Sequence, residues 1–228
     1  MTTRLRSATC SGADQRAAGV WVLVAALALA GGWSPINAWA ADREDAARSG
    51  KLIAVQDCED CHGRDGNSIS STFPKLAAQT EVYLTKQLRQ FQGRHRADPA
   101  ASRMWPVAEA LTEQQIKDIA SYFSQQKASH GPAADPDVMT RGQKIFQSGI
   151  PEKGVPACSA CHGDNAEGTA ATEAPRLAGQ WRRYLVEQLN VFYSDQRPSA
   201  VAMHAIVQSL SAQDIDVLAQ YLQSLRTD

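Results

Sequence analysis

Cys58-Glu59-Asp60-Cys61-His62-Gly63 and, one hundred residues later, Cys158-Ser159-Ala160-Cys161-His162-Gly163 are the stretches that decide how this 228-residue chain folds. Two thiols three positions apart, with a histidine directly after the second, read as a covalent haem attachment site. The thiols can reach the two vinyl groups of one porphyrin, and the adjacent imidazole can face the iron. Two copies imply two haems.

Aligning the two motifs aligns much of the chain. Pro74-Lys75-Leu76 and Gln79 match Pro175-Arg176-Leu177 and Gln180, and Tyr83-Leu84, Gln87-Leu88 and Phe91 match Tyr184-Leu185, Gln188-Leu189 and Phe192. Further on, Met104, Leu111, Ile116 and Tyr122 match Met203, Leu210, Ile215 and Tyr221, with an offset that stays between 99 and 101 residues. Each half is therefore one structural unit of about 90 residues, and duplication is the simplest origin. Residues 128–136 combine Gly and Pro with no apolar periodicity, which reads as a linker. The expected layout is a leader over 1–40, a first domain over 41–130 and a second over 131–228.

The periodicity within each unit is helical. Segments 43–56 and 137–148 precede the motifs, the second behind a capping Asp135 and Pro136. Segments 81–92 and 181–193 carry apolar residues at three-and-four spacing. The last helices start at Thr112, with Gln115 completing a capping box, and at Ser211, with Asp214 in a weaker version. Strand signals are essentially absent, so the predicted fold is all-α. Units this small have modest cores unless a large apolar group such as haem completes them.

The first forty residues differ in kind. Arg4, Arg6 and Arg16 precede an apolar run from Val20 to Ala30, and Ala38-Trp39-Ala40 supplies small residues for cleavage after Ala40. This is the layout of a secretory signal peptide, and the run is far shorter than the roughly 20 residues of a membrane span. The expected location is the periplasm. Cys10 falls within the leader, so the mature chain keeps four cysteines, all in the two motifs. Its 20 basic and 23 acidic residues give a formal charge of −3, and nothing suggests nucleic acid.

A haem iron held by one histidine needs a sixth ligand or an open face, and methionine is the usual choice for electron transfer. Met104 lies 42 residues after His62 and Met203 lies 41 after His162, each ahead of the last helix of its unit. A lone methionine would read as core filler, but these two persist where their neighbours change. Met139 has no counterpart. His204, beside Met203, competes as a ligand, yet the first unit has Trp105 at that place. His95 and His130 sit in polar stretches and read as solvated. The expected iron ligands are therefore His62 with Met104 and His162 with Met203.

Supporting positions recur too. Pro74 follows His62 by twelve residues and Pro175 follows His162 by thirteen. The loops that end at these prolines are candidates to accept the free ring N–H of each ligating histidine. Arg96 and Arg197 match between the middle helix and the methionine, where they would either pair with haem propionates or lie in solvent.

Two other chemistries use Cys-x-x-Cys. Four thiolates could make a zinc site, which would leave the histidines and methionines without a purpose. A thioredoxin-like pair requires strands that this sequence lacks.

The tandem motifs, with a Pro-x-Leu, a Tyr-Leu-x-x-Gln-Leu helix and a late methionine in each half, resemble the dihaem cytochrome c4 family over essentially the whole mature chain. The resemblance implies two class I cytochrome c domains, each wrapped around one covalently bound haem c, in a periplasmic electron carrier without substrate chemistry of its own. Its implied partners are a cytochrome bc complex or a dehydrogenase as donor and a haem–copper oxidase as acceptor, with peripheral membrane association. Two other roles fit the motifs. One is a tightly bound subunit of a dehydrogenase, such as a sulfide-oxidising flavocytochrome or an alcohol dehydrogenase; the other is a dihaem peroxidase, against which both methionines argue. One departure stands out: the segment from Arg96 to Met104 is two residues longer than its counterpart.

Overall fold

The structure, a computed structural model, describes residues 35–194 and 196–226, with side chains from residue 42 onward. The leader reading over 1–40 lies, as far as residue 34, outside the described residues. No described helix is long and apolar enough to cross a membrane.

The first half consists of α1 (Pro35–Ile53), a wide π-helical turn over Ala54–Cys58, α2 (Glu59–His62), α3 (Glu81–Gln92), α4 (Trp105–Glu109) and α5 (Glu113–Ser124). The second consists of α6 (Pro136–Ser148), α7 (Ser159–His162), α8 (Arg182–Val191), α9 (Val201–Val207) and α10 (Ala212–Ser224). Among the described residues there is no strand, only the single bridging pairs Ile150–Val155 and Thr169–Ala174.

Local chemistry explains where the helices start. Thr80 accepts the Tyr83 N–H to open α3, and Asp135 accepts the Asp137 N–H ahead of Pro136 in α6. Both α5 and α10 begin with complete capping boxes, Thr112 with Gln115 and Ser211 with Asp214. The shorter Asp214 side chain closes its box as fully as a glutamine does, so the version expected to be weaker is formed in full.

In each half the first and last helices cross, and a glycine makes the crossing possible. A methyl group at Gly50 would sit 2.1 Å from the Asp118 carbonyl oxygen of α5, and one at Gly142 would sit 2.3 Å from the Tyr221 Cβ of α10. These glycines are 92 residues apart, not 100, because the second half inserts eight residues before its motif. A turn over Pro151–Lys153 occupies that insertion, whereas the first half reaches its motif through the π-helical turn. Beneath the crossings lie separate cores: Leu84, Leu88, Ile116 and Phe123 in the first half, and Phe146, Leu185, Val207 and Leu218 in the second.

The halves meet through reciprocal contacts, in which a residue of each repeats what its counterpart does in the other. Gln79 binds the backbone of Arg176, and Gln180 binds the backbone of Lys75. Lys86 forms a salt bridge of 2.6 Å with Glu173 at the rim.

Candidate haem sites

His62 ends α2 and His162 ends α7, and both are buried. The next residue is glycine in each case, at φ 77° for Gly63 and φ 82° for Gly163. That left-handed conformation costs a glycine nothing and turns the chain sharply away from the imidazole.

Each ring then meets a backbone oxygen. His62 Nδ1 lies 2.9 Å from the Pro74 carbonyl, and His162 Nδ1 lies 2.9 Å from the Pro175 carbonyl. A carbonyl only accepts, so Nδ1 donates in both rings and Nε2 keeps its lone pair. Burial holds both imidazoles below the usual histidine range, partly offset by these same bonds. Each is a neutral ring with its orientation fixed and one nitrogen available, the state a metal-ligating histidine requires.

Cys58 and Cys158 are half-buried, while Cys61 and Cys161 are exposed, and no disulfide joins any of them. Burial pushes the Cys58 and Cys158 thiols up to about 11. Among the described residues, no three or more His, Cys, Asp or Glu side chains cluster as a metal site would.

Met104 packs on the same apolar cluster as Cys58 and Leu76, and Met203 on the same cluster as Cys158 and Leu177. Met139 has its sulfur 3.1 Å from the Ser224 hydroxyl, within the second core. His204 duplicates the work of Trp105: its Nε2 donates to the Arg197 carbonyl at 3.2 Å, as Trp105 Nε1 donates to the Arg96 carbonyl at 3.0 Å. His95 and His130 are exposed.

Arg96 and Arg197 are not in solvent. Both are buried where the halves meet. Arg96 donates to Asp98, Gln87 and Gln188, while Arg197 donates to Gln188, Gln87 and Tyr83. Among the described residues Arg96 has a carboxylate partner and Arg197 has none; the Arg96 salt bridge to Asp98 is 3.0 Å long, with the two side chains 4% and 0% exposed. Among the described residues, Arg197 Nε and Gln188 Nε2 have no hydrogen-bond partner. Burial alone would push the Tyr83 phenol up, but Arg197 and Arg96 pull it below its ordinary value. Among the described residues, a buried cluster with two guanidinium ions, one carboxylate and spare donors suits a ligand that brings carboxylates, as haem does.

Gln79, Gln180, Gln87 and Gln188 are buried polar residues to which the sequence assigned no role. Their signal was present: each is a polar residue retained in both copies of a mostly apolar pattern.

Comparison with known proteins agrees with this layout. The cytochrome c family profile matches residues 47–127 and again residues 139–226. A cytochrome c4 from Stutzerimonas stutzeri is 38% identical over 192 residues, spanning 79% of this chain and 89% of the relative. A thiosulfate dehydrogenase electron acceptor from Thiomonas intermedia is 31% identical over 195 residues, spanning 83% of this chain and 84% of that protein. The crystal structure of reduced cytochrome c4 from Pseudomonas stutzeri superposes with a TM-score of 0.72 at 36% identity, covering 79% of this chain and 98% of that one.

The fold and the doubled site thus define a c-type cytochrome with two domains in tandem, each carrying one covalent haem c. Within that class the chain belongs to the dihaem cytochrome c4 family, whose members are electron-transfer proteins.

Proposed function

We propose that the chain is a periplasmic relay whose two haems are held by Cys58, Cys61, His62 and Met104 in the domain over 41–130, and by Cys158, Cys161, His162 and Met203 in the domain over 131–228. The observation that carries this reading is the duplicated imidazole: Nδ1–H fixed on Pro74 or Pro175, with a methionine in the same apolar cluster. Haem supplies one-electron chemistry between the ferrous and ferric states. The protein's own contribution is positional. Pro74 and Pro175 orient the imidazoles and raise their basicity. Met104 and Met203 lie in apolar clusters, and their sulfurs would serve as ligands to the haem irons, leaving no open site for oxygen or peroxide. Arg197 Nε and Gln188 Nε2 offer the spare donors for propionate, with Arg96 already neutralised by Asp98.

The donor in this reading is a cytochrome bc complex or a periplasmic dehydrogenase, and the acceptor is a haem–copper oxidase. The likeness to a thiosulfate dehydrogenase electron acceptor favours a dehydrogenase as donor in a second reading, in which the chain works as its dedicated subunit. Expression in a host that exports and matures c-type cytochromes tests the site. Two haems per chain are expected by pyridine haemochrome assay, with a ferric spectrum unchanged by millimolar cyanide over minutes. Rapid conversion to a cyanide complex would point to an open iron and a peroxidase-like role. Co-purification with a dehydrogenase, against a monomer on gel filtration, separates the two carrier roles.

A further inference from the structure

We infer that each domain's ligating histidine is positioned by a glutamine of the other domain, so that Gln180 tunes the first haem and Gln79 tunes the second. This rests on the ligand reading above.

The carbonyl that holds His62 belongs to the Pro74–Lys75 peptide unit. The other end of that unit, the Lys75 N–H, donates to Gln180 Oε1 at 2.9 Å. The Gln180 side-chain amide returns a bond to the Lys75 carbonyl, also at 2.9 Å. The second site repeats the pattern with the domains exchanged. The carbonyl that holds His162 belongs to the Pro175–Arg176 unit, whose N–H donates to Gln79 Oε1 at 2.7 Å, and Gln79 Nε2 donates to the Arg176 carbonyl at 3.0 Å.

A peptide unit is planar and rigid. Fixing its N–H end therefore fixes the direction of its C=O end, and with it the imidazole. Each glutamine oxygen also accepts the N–H of its own next residue, Thr80 or Trp181, at 3.1 and 3.0 Å, which locks its amide in place. Both side chains are buried, so water cannot substitute when one is removed. The result is a continuous hydrogen-bonded line from imidazole through backbone amide to the opposite domain, and bonds in such a line strengthen one another.

Losing the glutamine leaves the carbonyl a weaker and less well-aimed acceptor. The histidine then becomes a poorer donor to ferric iron, and the potential of that haem rises. The crossing distinguishes this from ordinary structural damage, which would be felt first in the mutated domain.

The test uses the holoprotein with Gln180→Leu and, separately, Gln79→Leu. NMR-followed redox titration reads each haem through its methionine methyl resonance, assigned by its loss in Met104→Ala or Met203→Ala. Gln180→Leu should raise the potential of the first-domain haem and speed solvent exchange of its histidine Nδ1 proton, leaving the second haem unchanged. Gln79→Leu should do the reverse. Shifts confined to the mutated domain, equal shifts in both haems, or no shift would overturn the inference. If Gln180→Leu does not mature, Gln180→Asn, too short to reach Lys75, is judged by the same crossed criterion. A wild-type protein without two methionine methyl signals would instead remove the ligand reading itself.

Discussion

Replacing Asp98 by alanine should cost about 3 to 5 kcal/mol, the range for breaking a buried ion pair from one side. Asp98 Oδ2 accepts from Arg96 Nε at 3.1 Å and from Arg96 Nη2 at 3.0 Å, with essentially no solvent at either side chain. Two further partners of the guanidinium, Gln87 Oε1 and Gln188 Oε1, are neutral amides that cannot cancel its charge, and the Phe91 ring at 4.4 Å is uncharged too. The Arg94–Glu109 pair in the same half is the control: its side chains are 60% and 40% exposed, so Glu109→Ala should cost far less than Asp98→Ala. Urea unfolding of the holoprotein, followed by circular dichroism in the haem absorption band, reads both. The double variant Arg96→Met with Asp98→Ala should recover part of the loss, since it leaves no buried charge. A loss below about 1 kcal/mol for Asp98→Ala, or a strictly additive double variant, would refute the view that this contact is a coupled, buried ion pair.

Gly142→Ala brings a methyl group to 2.3 Å from the Tyr221 Cβ, and with no room to move it should destabilise by about 1 to 3 kcal/mol or prevent maturation, read by the same unfolding assay. Lys75 is buried over the Trp181 ring at 4.2 Å, and burial lowers its ammonium to about 8 from an ordinary 10.5. The unfolded chain therefore binds more protons between those values, and stability rises with pH across that window. Relative to Lys75→Met, the wild type should gain about 1 to 2 kcal/mol between pH 7 and pH 10, less than the full shift implies because Trp181 favours the charged form. A constant difference between the two proteins would contradict this.

The helices that carry chemistry were readable because their signals are local. Thr112 with Gln115 and Ser211 with Asp214 mark helix starts within four residues of chain, and the expected 81–92 segment coincides with α3. The short α4 and α9 were missed because neither contains enough residues to show a period. The crossing glycines were hidden by the eight-residue insertion, which breaks the constant offset upstream of the motif.

The repeat also conceals exchanges. Gly66 corresponds to Ala166 and Ala78 to Gly179, and all four have φ between 56° and 78°. Identity changes there while conformation does not, so matching letters understates the likeness of the halves. Arg96 and Arg197 were visible as a matched pair, but their burial arises from the contact between domains, which no spacing along one strand of sequence encodes. The same holds for Gln79 and Gln180, whose partners lie 97 and 105 residues away.

The central claim is that both irons are closed, six-coordinate and ligated by histidine and methionine. The near-infrared absorption of the ferric protein, where sulfur–iron ligation gives a weak band, tests it most directly. Met104→Ala and Met203→Ala should each remove about half the band, and the double variant all of it, in keeping with one methionine per haem. A band that survived intact in both single variants would contradict the account.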